Sequence, residues 1–137
     1  MDRVKTICLI GSSRFKEDFH RIGYDLEKQG ILILMMSFFQ HSDQMSVSEE
    51  ERLVLNMVDN ARIDLSDEVL VINPRVYICK KCGKPNSLFY DVILNVYLTM
   101  CCKGEWEYKY YWGESTSREI EYAKSKGKTV SYLVPLE

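Results

Sequence analysis

The stretch VKTICLIGSSR, residues 4–14, decides the fold. Val4 to Ile10 is an apolar run rich in β-branched residues, which predicts a buried strand, and Gly11 ends it. From Arg14 to Gln29 the apolar residues recur at every third or fourth position, which predicts an amphipathic helix. Gly30 stands where glycine commonly ends a helix. The chain therefore opens with a strand, a tight glycine turn and a helix.

The same alternation continues along the chain. Ile31 to Met36 predicts a second buried strand, and a polar loop follows from Ser37 to Met45. Ser46 and Glu49 have the spacing of a capping box, which predicts a helix that runs to about Asp64. The residues expected to face the core along this helix are spaced by four: Leu53, Met57, Ala61 and Leu65.

The last three elements lie on either side of a long insert. Glu68 to Asn73 predicts a third strand. After the insert, Thr116 and Glu119 predict the start of a helix, Gly127 predicts its end, and Thr129 to Val134 predicts a final strand.

Strands that alternate with helices predict an α/β fold with helices on both faces of a parallel sheet. We expect a doubly wound, Rossmann- or flavodoxin-like sheet of about four strands. The 137 residues are expected to form a single domain, in which residues 74–112 are a cysteine-bearing insert before the last helix.

Composition limits the classes of function. The chain is 46% hydrophobic and 28% charged, as an ordered globular domain is, and its net charge of -2 predicts no binding of a long nucleic acid. The apolar runs are shorter than the roughly 20 residues of a membrane helix, and no targeting segment is visible, so we expect no membrane partner. Five cysteines, an odd number, favour a reducing cytoplasm over a secreted disulfide framework.

Several polar residues follow the predicted strands directly, at the edge where ligands bind in such sheets. N–H groups at a helix start attract an anion, and an arginine beside them suits a phosphate or a carboxylate. For the first loop, a plain tight turn with a serine cap is an equal alternative to an anion site. For His41, a position on a solvent-facing loop is as good an explanation as contact with a base or a phosphate. The residues concerned are Gly11, Ser12, Ser13 and Arg14 after the first strand, His41 after the second and Asn73 after the third.

The stretch GESTSRE, residues 113–119, places small hydroxyl residues at a helix start with a carboxylate inside the helix. Thr116 and Glu119 could serve only as a capping box. Alternatively, Glu119 lies at the mouth of the sheet and attacks the anomeric carbon of a sugar, since a carboxylate can form a glycosyl ester and later be displaced. Asp59 is a second candidate, because apolar Leu55 and Ile63 lie one turn away on either side of it.

These stretches carry a family resemblance. CLIGSSRF at residues 8–15, IDLSDEV at 63–69 and GEST at 113–116, with EIEYA at 119–123 and GK at 127–128, are similar to the nucleoside 2-deoxyribosyltransferase-like superfamily. This superfamily includes enzymes that cleave nucleoside 5'-monophosphates at the N-glycosidic bond. The similarity covers most of residues 4–73 and 112–134.

The resemblance implies that the chain is a transferase or hydrolase of the nucleoside deoxyribosyltransferase or nucleotide N-glycosidase type, without a cofactor for catalysis. Glu119 would be the nucleophile, and Asp59 would orient the substrate or handle the proton of the base. The first loop, with Gly113, Ser115 and Thr116, would hold the sugar or its 5'-phosphate. The resemblance also implies a homodimer.

Two departures from the family concern the substrate. Cys8 stands where some members carry a tyrosine, and the simplest members have no counterpart of the insert. The alternative functions are a nucleotide-binding protein without turnover on the same fold, and a protein-interaction module that acts through the insert.

The insert has chemistry of its own. Cys79, Cys82 and Gly83 match half of a zinc knuckle, and Cys101 with Cys102 would have to supply the other half of a structural zinc site. A redox-active pair and plain thiols are the alternatives. Trp106, Tyr108, Tyr110 and Trp112 then alternate with other residues, which predicts an aromatic strand face that either packs internally or, at Trp112, stacks a nucleobase.

Overall fold

The structure is a computed structural model, and it describes residues 3–83, 85, 88–91, 96–99 and 106–136. The chain divides into two compact units, Met1–Asn73 with Trp112–Glu137, and Pro74–Tyr111. The second unit corresponds to the predicted insert. In the described residues the elements follow one another as β1 (Thr6–Gly11), α1 (Lys16–Glu27), β2 (Leu32–Leu34), α2 (Glu49–Leu65), β3 (Glu68–Ile72), β4 (Arg75–Cys79), β5 (Leu88–Asp91), β6 (Val96–Thr99), β7 (Trp106–Tyr110), α3 (Glu114–Ser125) and β8 (Thr129–Tyr132).

The first unit is built on a parallel four-stranded sheet. Its strand order is β2-β1-β3-β8, and all three pairings between neighbours are parallel. Every residue of the central strand β1 is buried, as its apolar, β-branched sequence predicts. The predicted α/β fold with about four parallel strands is therefore confirmed, and it is compatible with a Rossmann-like arrangement.

Helices cover both faces of this sheet. On one face, Gly23 of α1 lies against the side chains of Leu9 and Ile33. On the other face, Cys8 and Ile10 of β1 form a core cluster with side chains from α2 and α3, which are Ile63, Ile120 and Ala123. The alternation of side chains along β1 thus assigns α1 to one face and α2 with α3 to the other.

β2 differs from its prediction. It spans three residues instead of Ile31 to Met36, and its side chains are exposed or half-buried. The prediction of a buried strand is wrong because β2 lies at the edge of the sheet and pairs with β1 alone. An apolar run does not distinguish an edge strand from a central one.

Helix α2 begins two residues later than the predicted capping box implies. Ser48 and Glu51 form the box, in which the Ser48 hydroxyl accepts from the Glu51 N–H and the Glu51 carboxylate accepts from the Ser48 N–H. The pair Ser46 and Glu49 has the same spacing, and both pairs precede the same apolar run, so the sequence alone did not distinguish them.

The core-facing side of α2 is also different from the prediction. Leu53, Met57 and Leu65 are exposed by 67%, 71% and 72%, so the predicted core stripe faces away from the sheet. The buried residue of this helix is Ile63. The half-buried positions one and two turns before it carry Asn56 and Asp59. Polar residues occupy the inner face because part of it lines a cleft instead of the core.

Helix α3 starts at Glu114 with Gly113 as its N-cap, and no side chain caps it. The predicted capping box of Thr116 and Glu119 is therefore wrong. Thr116 lies in the first turn and is buried, and Glu119 lies in the second turn. The helix starts earlier than predicted because Gly113 accepts the first intrahelical bond, from the N–H of Ser117.

The second unit contains two antiparallel strand pairs, β4 with β7 and β5 with β6. The aromatic alternation predicted a strand, and β7 is that strand. Tyr77 and Tyr108 face each other across β4 and β7, with ring centroids 4.9 Å apart. Among the described residues, no helix is both long and apolar enough to cross a membrane.

Candidate functional site

A cleft of about 230 Å³ lies between α2 and α3. Spacings of three and four residues place its lining side chains on one face of each helix. Helix α2 contributes Asn56, Asp59 and Asn60, and helix α3 contributes Ser115, Arg118, Glu119 and Tyr122. The two carboxyl residues that the sequence singled out therefore line the same cavity.

Asp59 is held by an ion pair within α2. Arg62, one turn further along the helix, donates to the Asp59 carboxylate at 2.6 Å, and both side chains are mostly buried. Burial raises the pKa of Asp59 above its usual value, and the charge and hydrogen bond of Arg62 oppose this rise. The arginine thus favours an ionised Asp59 in the cleft.

Glu119 is the more strongly perturbed acid. Burial is the main cause, the negative charge of Asp59 adds to it, and together they raise the pKa of Glu119 to about 8. Arg62 and Arg118 act in the opposite direction. A pKa of about 8 favours the acid form of Glu119 at neutral pH. Like charges in one cavity disfavour the ionisation of both carboxyls together.

Cys8 lies under this pair, in the middle of β1. Its side chain is 2% exposed and belongs to the cluster between the sheet and the helices α2 and α3. Burial, the nearby Glu119 and, more weakly, Asp59 raise the pKa of the Cys8 thiol to about 12. The thiol therefore stays protonated and behaves as a small apolar side chain of the core close to the two carboxyls.

The loop after β1 is joined to the loop after β2. Ser13 and His41 share a hydrogen bond between Oγ and Nδ1, and the Ser13 hydroxyl also accepts from the His41 N–H at 3.2 Å. Burial lowers the pKa of His41, and the positive charges of Arg14 and Arg52 add to this. Gly11 makes the turn possible, because a Cβ there would lie 2.7 Å from the Ile72 carbonyl oxygen.

Arg14 and Arg52 therefore place two positive charges near His41, at the carboxyl edge of the sheet. In the part of the chain that the structure describes, neither Arg14 nor Arg52 has an ion-pair partner. Arg52 precedes Asn56 by four residues, so it lies on the same side of α2, about 6 Å further toward the N-terminus of the helix. The cleft itself is lined by none of these three side chains.

Of the nine predicted binding residues, Ser115 lines the cleft, and the other eight do not. Five of these eight belong to the two joined loops, namely Gly11, Ser12, Ser13, Arg14 and His41. Asn73 is fully buried, and its side-chain amide is hydrogen-bonded to the backbone N–H and carbonyl of Val134 at 2.8 and 2.9 Å. Its position joins β3 to the end of β8 and offers no accessible atom to a ligand. Thr116 is 1% exposed, and Gly113 serves as the cap of α3.

Trp112 is part of the first unit's core. Its ring stacks on Tyr132 with centroids 5.7 Å apart, and its indole N–H donates to the Ser117 hydroxyl at 2.9 Å. These contacts favour packing over base stacking for this side chain.

Four residues of the cleft were not predicted from the sequence, and these are Asn56, Asn60, Arg118 and Tyr122. Helical spacing could have indicated two of them, since Asn56 precedes Asp59 by three residues and Tyr122 follows Glu119 by three. Asn60 and Arg118 are direct neighbours of the two acids in sequence. The Tyr122 hydroxyl donates to Asp64 at 2.9 Å, and this hydrogen bond links the two helices at the end of the cleft.

The predicted zinc ligands are described only in part. Cys79 is buried at the end of β4, Cys82 is exposed, and the Gly83 N–H closes the turn between them by donating to the Cys79 carbonyl at 2.8 Å. Cys101 and Cys102 lie outside the described residues. Within residues 3–83, 85, 88–91, 96–99 and 106–136, no three potential metal ligands come together.

Comparisons with family models, with curated proteins and with solved structures gave no match for this chain. The interpretation of the cleft therefore depends on its own geometry and charge.

Proposed function

We propose that this protein cleaves the N-glycosidic bond of a nucleoside or nucleoside 5'-monophosphate, and passes the sugar to water or to a second base. One observation carries the proposal: Asp59 and Glu119 line the same cleft, where burial and the negative charge of Asp59 raise the pKa of Glu119 to about 8. Glycosidic bond cleavage by a pair of carboxyl groups needs one carboxylate and one carboxylic acid. The raised pKa of Glu119 and the ion pair of Asp59 with Arg62 support such a division of roles.

The proposed chemistry has two steps. Glu119 attacks C1' to form a glycosyl ester, the bond from C1' to the base nitrogen breaks with its electron pair, and the base takes up one proton. That proton is the one that Glu119 carries in its acid form, and it passes to the base through Asp59 as Glu119 becomes the attacking carboxylate. Water or a second base then attacks C1', which frees the Glu119 carboxylate and returns a proton to the pair. No cofactor is needed for this sequence.

The cations around the cleft support a phosphorylated substrate over a free nucleoside. Arg118 and Ser115 line the cleft beside Glu119, and Arg14 and Arg52 lie near His41 at the carboxyl edge of the sheet. Guanidinium groups bind phosphate with two parallel hydrogen bonds, which gives both affinity and orientation. We therefore place a nucleoside 5'-monophosphate first among the possible substrates.

The test is the release of free base from a panel of nucleosides and nucleoside 5'-monophosphates. We expect release by the wild-type chain and its loss in Glu119→Ala, by at least about 1,000-fold, because the variant has no nucleophile. Glu121→Ala is the matched control, since Glu121 lies two residues further along α3 and is exposed. Equal loss in both variants would contradict the proposed role of Glu119.

A binding protein without turnover is the second candidate. The raised pKa of Glu119 favours it, because little of the attacking carboxylate is present at neutral pH. Calorimetric titration with the same panel distinguishes the two functions. Micromolar binding with no base release from pH 6 to 9 would establish the binding protein and exclude the enzyme.

A further inference from the structure

Arg62 is a cation beside the cleft that the two proposed steps do not use. Its side chain is only 21% exposed, one turn after Asp59 on α2. Arg62 is not among the residues that line the cleft, so it is not placed to touch a ligand there. A guanidinium that is mostly buried needs a nearby anion to offset its loss of water. Any effect of Arg62 on the chemistry therefore passes through a neighbouring group.

The neighbouring group is one oxygen of the Asp59 carboxylate. Nη1 of Arg62 donates to Oδ1 of Asp59 at 2.6 Å. In the part of the chain that the structure describes, the second oxygen, Oδ2, accepts no hydrogen bond. Because Asp59 lines the cleft, Oδ2 remains for a ligand or a proton. The ion pair thus fixes the carboxylate by one oxygen and leaves the other open.

The charge of Arg62 acts on every acid close to this pair. It lowers the pKa of Asp59, of Glu119 and of the Cys8 thiol. Arg118 also lowers the pKa of Glu119, but it lines the cleft and can bind a substrate directly. Within the described ranges, Asp59 forms an ion pair with Arg62 alone. The charged or titratable groups around the pair come from three elements, and they are Glu119, Arg118 and Tyr122 on α3, Cys8 on β1 and Asp64 on α2.

We propose that Arg62 is the positioning residue of the carboxyl pair: it holds Asp59 as a carboxylate with Oδ2 open to take the proton of Glu119. This inference rests on the proposed function. In the first step the proton moves from Glu119 to Oδ2 of Asp59 and then to the base nitrogen. The Glu119 carboxylate bonds to C1', and the bond from C1' to the base breaks. Arginine keeps its own proton at any working pH, so Arg62 directs this transfer without taking part in it.

The first test is a pH titration of the Asp59 and Glu119 carboxyls in the full chain by carbon NMR. In Arg62→Gln we expect Asp59 to titrate at a higher pH than in the wild type, because burial is then unopposed. Arg62→Lys keeps the charge and should titrate close to the wild type. Arg21→Gln is the matched control, since Arg21 pairs with Asp18 at the same spacing on the exposed side of α1 and should leave both carboxyls unchanged.

The second test is the kinetics of base release. In Arg62→Gln we expect kcat at pH 7 to fall by about 10- to 100-fold, because proton transfer through Asp59 is impaired. KM should stay within about threefold of the wild-type value, because Arg62 does not line the cleft. Arg62→Lys should recover most of the loss. In the Asp59→Asn background, Arg62→Gln should have little further effect, since Arg62 acts through Asp59.

Three results would overturn the assignment. They are an unchanged Asp59 titration in Arg62→Gln, an equal loss of kcat in Arg62→Lys, and a second full loss when Arg62→Gln is added to Asp59→Asn. Circular dichroism checks that each variant is folded; if Arg62→Gln alone is not, the folded Arg62→Lys and the double variant carry the comparison. If the wild type releases no base, the proposed function fails, whereas the titration still decides whether Arg62 controls Asp59.

Discussion

Replacing Glu119 with glutamine should make the protein more stable at alkaline pH, although it removes the proposed nucleophile. The pKa of this carboxyl rises from its ordinary 4.5 to about 8 on folding, chiefly through burial. Between these two values the folded state keeps a proton that the unfolded chain has released. The unfolded chain therefore binds fewer protons in this range, and the free energy of unfolding falls as the pH rises from 4.5 to 8.

The size of the effect follows from the same two values. Each pH unit in this range costs about 1.4 kcal/mol, which gives a full cost on the order of 5 kcal/mol above pH 8. Between pH 5.5 and 8.5, the wild type should lose about 3 kcal/mol through this one group. Glutamine has a similar shape and no charge, so Glu119→Gln should not lose this contribution.

Urea denaturation of both proteins at the two pH values measures the effect. The difference between the wild type and Glu119→Gln cancels the contributions of all other titrating groups to first order. Glu121→Gln is the matched control. Because the Glu121 side chain is exposed, the free energy of unfolding of this variant should change with pH as that of the wild type does. The free energy of unfolding should fall further between the two pH values in the wild type than in Glu119→Gln. A difference of less than about 1 kcal/mol between the two proteins would refute the reasoning, since Glu119 would then be ionised in the cleft at neutral pH.

Three further predictions concern the end of β1, the start of α2 and the insert. Gly11→Ala should destabilise the fold by roughly 1–3 kcal/mol in urea denaturation, because its Cβ would meet the Ile72 carbonyl oxygen at 2.7 Å; an unchanged midpoint would show that the strands can separate freely. Ser48→Ala should lower the free energy of unfolding by about 1 kcal/mol in urea denaturation, because α2 loses its N-terminal cap; a change below about 0.3 kcal/mol would mean that the capping box contributes little. We propose that the insert binds structural zinc, so metal analysis should find zinc equimolar with the chain and its loss in Cys82→Ser; a zinc-free wild type would contradict this.

The parallel sheet could be predicted from sequence because each central strand is a short apolar run bounded by turn residues. Val4 to Ile10 and Glu68 to Asn73 predicted β1 and β3 to within two residues at each end, although Val4 and Lys5 precede β1 and are exposed. The orientation of α2 could not be predicted in this way. Its apolar residues repeat with the helical period, and this period is the same whether the apolar face covers the sheet or, as here, points away from it.

The two acids of the candidate site could be identified from the sequence, but the effect of their neighbours on them could not. Glu119 and Asp59 follow from the position of α3 and from the apolar neighbours of Asp59. The shift of the Glu119 pKa depends on the approach of two helices that are separated by about fifty residues of sequence, so only the folded structure gives it. Asn73 is the opposite case. It directly follows a strand, as a ligand-binding residue would, but its side-chain amide is hydrogen-bonded to the backbone of Val134, just after β8.

The anomeric configuration of the first product tests the role of Glu119 as nucleophile most directly. With methanol present as the acceptor in place of water, the reaction on a nucleoside 5'-monophosphate yields a methyl glycoside that does not interconvert, and NMR assigns its anomer. Two successive displacements through a Glu119 ester predict the β-glycoside, with the configuration of the substrate retained. An α-glycoside, or no release of base from any substrate tested, would contradict this account.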